Sequence, residues 1–351
     1  MTARGRTPLA AAVLVLTSTV ALSVAFTLLG LPSAVLFGSL LGGMAHALTS
    51  PTELRVPPSA FRLGQALIGV TIGTLVSVEA LRRMTGELGA VLTVTAVTIG
   101  ISLVAGRLLA LRSDVSRVTG AFALVAGGAS GVVAVARDLG ADDRVVTVVQ
   151  YLRVLIVLVT LPVVTAVVFH PGSGVGELRH ASASLPADLA FVALAVGGGL
   201  LVARVVPIST MTLLGPLVIA AVIASAGWLG EVAVPTPLQW LGYALIGVQV
   251  GLRFTRASLA SITRMLPAVT ALILAMVALT ALMGWALARL TSVDGLTAYL
   301  ATTPGGLFAV LATAADSGSY VNYVMAVQLF RLLVILLLTP LLARWLRGHD
   351  R

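Results

Sequence analysis

Long apolar runs separated by short polar gaps organise this chain, and the length of each run sets the element it predicts. Runs over residues 9–29, 33–48, 60–78, 88–110 and 145–169, then 188–204, 210–228, 238–252, 265–288 and 321–343, are each long enough for a helix. A membrane-crossing helix takes about 20 apolar residues, so the pattern predicts ten spans. Two further segments, 119–138 and 297–316, are apolar but interrupted by Gly127-Gly128 and by Pro304-Gly305-Gly306. The one long polar stretch, His170 to Leu185, carries Pro171 and the pair Arg179-His180 and reads as a linker.

Sliding the chain against itself exposes a duplication. At an offset of 178 residues, Leu63-Gly64 and Ala66-Leu67-Ile68-Gly69-Val70 recur as Leu241-Gly242 and Ala244-Leu245-Ile246-Gly247-Val248. The same offset maps Gly127-Gly128 onto Gly305-Gly306, Asp138 onto Asp316, Gln150 onto Gln328, Arg153 onto Arg331 and Pro162 onto Pro340. Two apolar sequences match leucine and valine by chance, but not Asp, Gln, Arg and Pro together at one spacing. The expected organisation is a first transmembrane repeat over 1–170, a linker over 171–187 and a second repeat over 188–351.

Composition restricts the class. Hydrophobic residues make up 58% of the 351 positions and charged residues 10%, with a mean hydropathy of +1.07. A soluble domain carries about 25% charged residues, so this surface faces lipid and the fold class is an all-α membrane protein. The net charge of +9 comes from 22 arginines with no lysine. They sit singly or in pairs between apolar runs, as topogenic charge does, so no direct nucleic-acid partner is expected. Cysteine is absent and His46, His170, His180 and His349 are scattered. No thiol pair, zinc motif, Ser-His-Asp set or other cofactor site is expected, and the protein reads as a non-enzyme. Arg4 and Arg6 precede an apolar run from Leu9 to Leu29 that is long enough to span, which predicts a retained first helix rather than a cleaved signal.

The arginines also indicate topology. If each glycine-broken segment enters and leaves on one side, each half has five spans and the second copy is inverted. With the N-terminus inside, Arg55, Arg107, Arg112, Arg117, Arg137, Arg144, Arg204, Arg253, Arg256, Arg264, Arg344 and Arg347 are then cytoplasmic, and only Arg82, Arg83, Arg179 and Arg289 are not. Crossing segments would instead make parallel copies with Arg253, Arg256 and Arg264 on the wrong side.

Inverted repeats with paired broken helices form the solute sites of many secondary transporters. Irregular backbone at membrane depth is tolerated only where protein or water covers it. Gly127, Gly128, Gly305 and Gly306 accept unusual φ/ψ, Pro304 stiffens the second elbow, and a half-helix N-terminus beyond each pair offers N–H donors. Close helix packing by small residues is the competing use of such glycines. The second constellation is Gln150/Arg153 and Gln328/Arg331, where a spacing of three puts both side chains on one helix face. An arginine inside a span costs at least ~2.5 kcal/mol and needs an anion, carbonyls or water. Asp138 and Asp316, and Asp142 or Asp143 in the first half only, are the candidate partners, unless the guanidinium groups bind an anionic solute themselves or snorkel to the interface. Among lesser features, Pro162 and Pro340 are expected to kink their helices or lie near the ends. Trp228, Trp240 and Trp345 are expected in an aromatic belt, Asn322 as polar lining, and His46 at an interface.

The glycine pair, the Asp and the Gln-x-x-Arg helix ending in proline, over Gly127 to Pro162 and again from Thr303-Pro304-Gly305-Gly306 to Pro340, resemble the AbrB-type membrane protein family. The first copy departs from the Thr-Pro-Gly-Gly pattern, reading Val125-Ala126-Gly127-Gly128. The resemblance implies labels of gene-expression regulator and ammonia monooxygenase, and kinship in fold with cation/proton antiporters and bile-acid symporters. A monooxygenase would need copper or iron ligands that four dispersed histidines do not supply. The expectation is therefore a multi-pass protein of the plasma membrane whose partners are the lipid bilayer and a small anionic solute that it transports. The alternative is a membrane-embedded regulator acting indirectly, against which stands the shortness of the tail after Ala343.

Overall fold

A computed structural model describes residues 8–31, 33–50, 52, 54–76, 88–112, 115–125, 141–169, 184–206, 210–227, 229–256, 260 and 263–348. Among them every regular element is helical. The elements are α1 (Pro8–Leu28), α2 (Ala34–Thr49), α3 (Pro58–Gly73), α4 (Leu88–Leu109), α5 (Arg117–Leu124) and α6 (Asp143–Val164), then α7 (Leu185–Val205), α8 (Met211–Ala226), α9 (Thr236–Gly251), α10 (Leu266–Leu290), α11 (Gly295–Thr302), α12 (Leu307–Asp316) and α13 (Val321–Gly348). Five stretches among the described residues have the length and hydropathy to cross a membrane: Ala11–Leu28, Leu88–Leu109, Arg144–Phe169, Leu185–Val205 and Leu266–Leu290. Four of the remaining expected spans fall on the 16-residue helices α2, α3, α8 and α9, and the fifth falls on α13.

Several elements keep the 178-residue offset to the residue: α3 with α9, and α5 with α11. The short helices α5 and α11 start alike, because Ser116 and Asp294, both on extended backbone, accept from the backbone N–H of Thr119 and Thr297. Pro162 lies inside α6, where it removes one helical donor, and a single π turn, Thr165–Phe169, follows.

The chain condenses into two compact units, each drawing on both sequence halves. Unit 1 is Met1–Arg82, Val164–Arg256 and Leu311–Val321; unit 2 is Arg83–Val163, Ala257–Val310 and Asn322–Arg351. The expected division at the linker thus describes order along the chain, whereas packing mixes the halves.

In unit 1, α1 packs on α2 and α7 on α8, while α2 packs on α9 and α3 on α8. Glycines set the last two contacts. A Cβ on Gly247 would strike Ser39 and Leu36, and one on Gly251 would strike the carbonyl of Leu40 and the amide of Met44, 2.7 Å away. A Cβ on Gly69 would strike the carbonyl of Leu213, and one on Gly73 would lie 2.5 Å from that of Leu217. Residue numbers rise together along both contacts, so α2 runs parallel to α9 and α3 parallel to α8. Such backbone approach is how helices adhere in lipid, where apolar burial separates nothing from water. Leu67, Val70, Phe191, Ala195 and Ala220 fill the space between.

In unit 2, α4 packs on α5 and on α10, and α10 packs on α11. Gly106 lets α4 onto Gly120, and Gly284, 178 residues on, lets α10 onto Tyr299. Leu109, Leu124, Val149, Val269 and Ile273 form the core. The outer faces of α1 and α10 show Leu16, Val20, Leu279 and Leu282 more than half or nearly half exposed, as lipid-facing surfaces do.

Candidate functional site

The second glycine-broken segment is two helices and an elbow: α11 and the elbow belong to unit 2, and α12 begins in unit 2 and ends in unit 1. Helix α11 ends at Thr302, residues 303–306 follow, and α12 begins at Leu307. Pro304 is buried, and Gly305 and Gly306 have φ of 130° and 70°. The first value lies outside what an L-residue adopts readily, which is why glycine stands there. In the first copy, Gly127, Gly128 and Asp138 lie outside the described residues.

A helix that stops inside the protein leaves its last carbonyls unpaired. Gln328 and Arg331 meet them from α13. Gln328 Nε2 donates to the carbonyls of Leu300 at 2.9 Å and Thr303 at 3.1 Å, and Arg331 Nη1 donates to that of Thr303 at 2.9 Å. Arg331 Nη2 donates to Gln328 Oε1 at 2.6 Å, which locks the two side chains together. Gln150 and Arg153 repeat the arrangement from α6. Gln150 Nε2 donates to the carbonyls of Phe122 and Val125, both at 2.8 Å, while Arg153 Nη1 reaches Leu124 O at 3.1 Å and Nη2 reaches Gln150 Oε1 at 2.8 Å. The positive side chain also sits at the negative end of the α5 or α11 dipole.

All four residues are buried: Gln150 0%, Arg153 3%, Gln328 1% and Arg331 4% exposed. Each guanidinium nevertheless keeps one orphan, because Arg153 Nε and Arg331 Nε have no acceptor among the described residues. Arg153 Nε faces the elbow of the other copy, since a Cβ on Gly305 would stand 3.2 Å from it. Val157 and Leu158, one turn along α6, border Gly306.

One expectation needs correcting. Asp316 does not pair with Arg331; its Oδ2 accepts from Ser33 Oγ at 2.8 Å and its Oδ1 from Tyr243 OH at 3.3 Å, in unit 1. Carbonyls at the end of α11 do for Arg331 what a carboxylate was expected to do. His46 lies in the last turn of α2. It is 2% exposed, and its Nε2 lies 3.0 Å from Thr52 O. Asn322 is buried at 4%. Among the described residues no three His, Cys, Asp or Glu side chains gather as a metal site.

The sequence reading missed Ser33 and Tyr243. Ser33 has φ 54° and ψ 36°, the one non-glycine with positive φ among the described residues, a conformation that costs about 1–3 kcal/mol. A signal for Tyr243 was present: it and Gln65 occupy the one mismatched, polar position inside the best-matching segment of the duplication.

The profile of the family described as "Transition state regulatory protein AbrB" matches residues 35–347. Over 331 residues, 93% of this chain and 94% of the relative, the sequence is 35% identical to "Putative regulator AbrB" of Escherichia coli (strain K12). The chain belongs to the AbrB family. A second relative, 23% identical over 150 residues, is the "Uncharacterized protein YhjN" of Bacillus subtilis (strain 168), covering 41% of this chain and 39% of that protein.

Proposed function

We propose that this AbrB-family protein is a secondary transporter for a small anionic solute in the plasma membrane, built as two inverted repeats. The observation that carries the solute class is the buried, unpaired Nε of Arg153 at the Gly305 elbow. Every other polar contact of that guanidinium is to a neutral group, so its charge is uncompensated among the described residues. Burying a lone charge is costly unless a partner arrives, and an arginine fork with a free N–H suits a carboxylate or phosphate-like group. The N–H groups at the start of α12 add donors beside it.

Inversion is supported by packing in unit 1. Helices α2 and α3 are joined by residues 50–57 alone, so as consecutive spans they run opposite ways. Since α9 runs parallel to α2, it opposes α3, its own counterpart at the 178-residue offset. A non-enzymatic role and contact with lipid and solute only are part of this reading. The relative's name favours a second one, a membrane-embedded regulator in which the same arginines sense the anion and act on gene expression indirectly.

Proteoliposomes loaded with a metabolite pool test the choice. Uptake or efflux of an anion by the wild type, lost in an Arg153→Gln, Arg331→Gln double variant that still inserts, is the expected result. If no solute moves under an ion gradient or a potential, transport is excluded and the sensing role remains.

A further inference from the structure

Unit 1 holds a carboxylate for which anion binding has no use. Asp316, the last residue of α12, is partly exposed, and the two hydroxyls that hold it are buried, Ser33 at 4% and Tyr243 at 3%. Among the described residues no arginine or histidine pairs with it. From α9 the titratable group facing it is Tyr243; from the start of α2 the facing group is Ser33, which does not titrate.

Ser33 is built for this contact at the expense of its helix. Ser116, Ser184 and Asp294 stand at helix starts on extended backbone and cap the N–H three residues on. Ser33 stands at the same place before α2 but is left-handed and makes no cap bond; its hydroxyl goes to Asp316 instead. A strained residue that forgoes its local bond to hold a distant carboxylate points to function.

We infer that Asp316, held between Ser33 and Tyr243, is a proton-exchanging site that takes up and releases one proton as the protein works. A metal ion fits less well. Each carboxylate oxygen already accepts one hydroxyl, and three side chains supply too few oxygens for the six or so that hard cations take. A proton needs one oxygen. It adds to Oδ1, the oxygen with the longer hydrogen bond; the Tyr243 hydroxyl then turns and accepts from the new acid O–H, while Ser33 keeps its bond to Oδ2. The carboxylate changes from −1 to neutral, with no electron moved. In chain order, α12 begins at Leu307 and ends at Asp316. Use of this proton to drive solute rests on the transport reading; the protonation itself does not.

The test uses the full chain in lipid nanodiscs, followed by infrared difference spectroscopy across a pH titration. A protonated-carboxyl carbonyl band that Asp316→Asn removes, and whose midpoint Tyr243→Phe moves by about tenfold in proton concentration through loss of one hydrogen bond to the carboxylate, is the expected result. The Tyr243→Phe arm stands even if Asp316→Asn fails to fold. Absence of such a band, or a band that Tyr243→Phe leaves in place, overturns the site. Sodium raising the unfolding temperature of the wild type but not of Asp316→Asn, with no titrating band, would make it a metal site and also overturn it. Solute flux is measured in parallel: an intact band with no flux sustains the proton site while transport fails.

Discussion

Among the described residues, unit 2 buries Arg153 and Arg331 without a carboxylate partner, whereas unit 1 buries Asp188 and ties down Asp316 without a buried arginine. In both, backbone or neutral dipoles stand in for a counter-ion. The arginines take the carbonyl ends of α5 and α11, and Asp188, in the first turn of α7 where the dipole favours an acid, accepts from the Ala233 N–H at 2.9 Å. The difference lies in what is left over. Each arginine fork retains an unused donor, while both oxygens of Asp316 are taken by hydroxyls that can reverse. One unit is suited to receive an anion and the other to change its own charge.

The largest effect should come from Arg331→Met, which strands the Thr303 carbonyl and unlocks Gln328; a loss of about 3 kcal/mol in unfolding free energy in micelles is expected. Arg331→Lys should recover only part of it, because an ammonium lacks the fork. A neutral Arg331→Met would mean that the clamp is not what holds α11. Gly305→Ala comes next, at about 2 kcal/mol for the φ of 130°, and it should also remove anion binding measured by calorimetry, since the methyl group lies against Arg153 Nε. Asp188→Asn should cost about 1 kcal/mol, because an acceptor oxygen remains for Ala233; a cost equal to that of Arg331→Met would erase the contrast between the units. Ser33→Gly should be smallest. Relief of the left-handed strain, about 1 kcal/mol, offsets the lost bond to Asp316, so thermal unfolding stays put while the Asp316 titration moves.

The helices were legible because apolar run length is a local property: the run 88–110 became Leu88–Leu109, and 321–343 became a helix starting at Val321. The Gln-x-x-Arg clamp was half legible. Its repetition and shared face could be read from spacing, and carbonyls were among the partners an arginine there could take, but which carbonyls, those of Leu124 and Thr303, could not be read. A broken helix creates such acceptors, so the glycine elbow itself was the clue. The partners of Asp316 could not be read, because Ser33 is 283 residues away and Tyr243 is 73. No periodicity reports contacts of that range, nor which helices condense into unit 1 and which into unit 2.

The eight-residue helices α5 and α11 carry a consequence for the order of biogenesis. Helices this short are unstable alone, and theirs end in carbonyls that lipid cannot satisfy. The capping amides and guanidinium groups are encoded 25 to 29 residues later. While the ribosome makes that interval, each broken segment has no stable place in the hydrocarbon. It must wait at the insertion machinery or the interface until α6 or α13 emerges, so that each half completes its membrane insertion only when its last helix arrives.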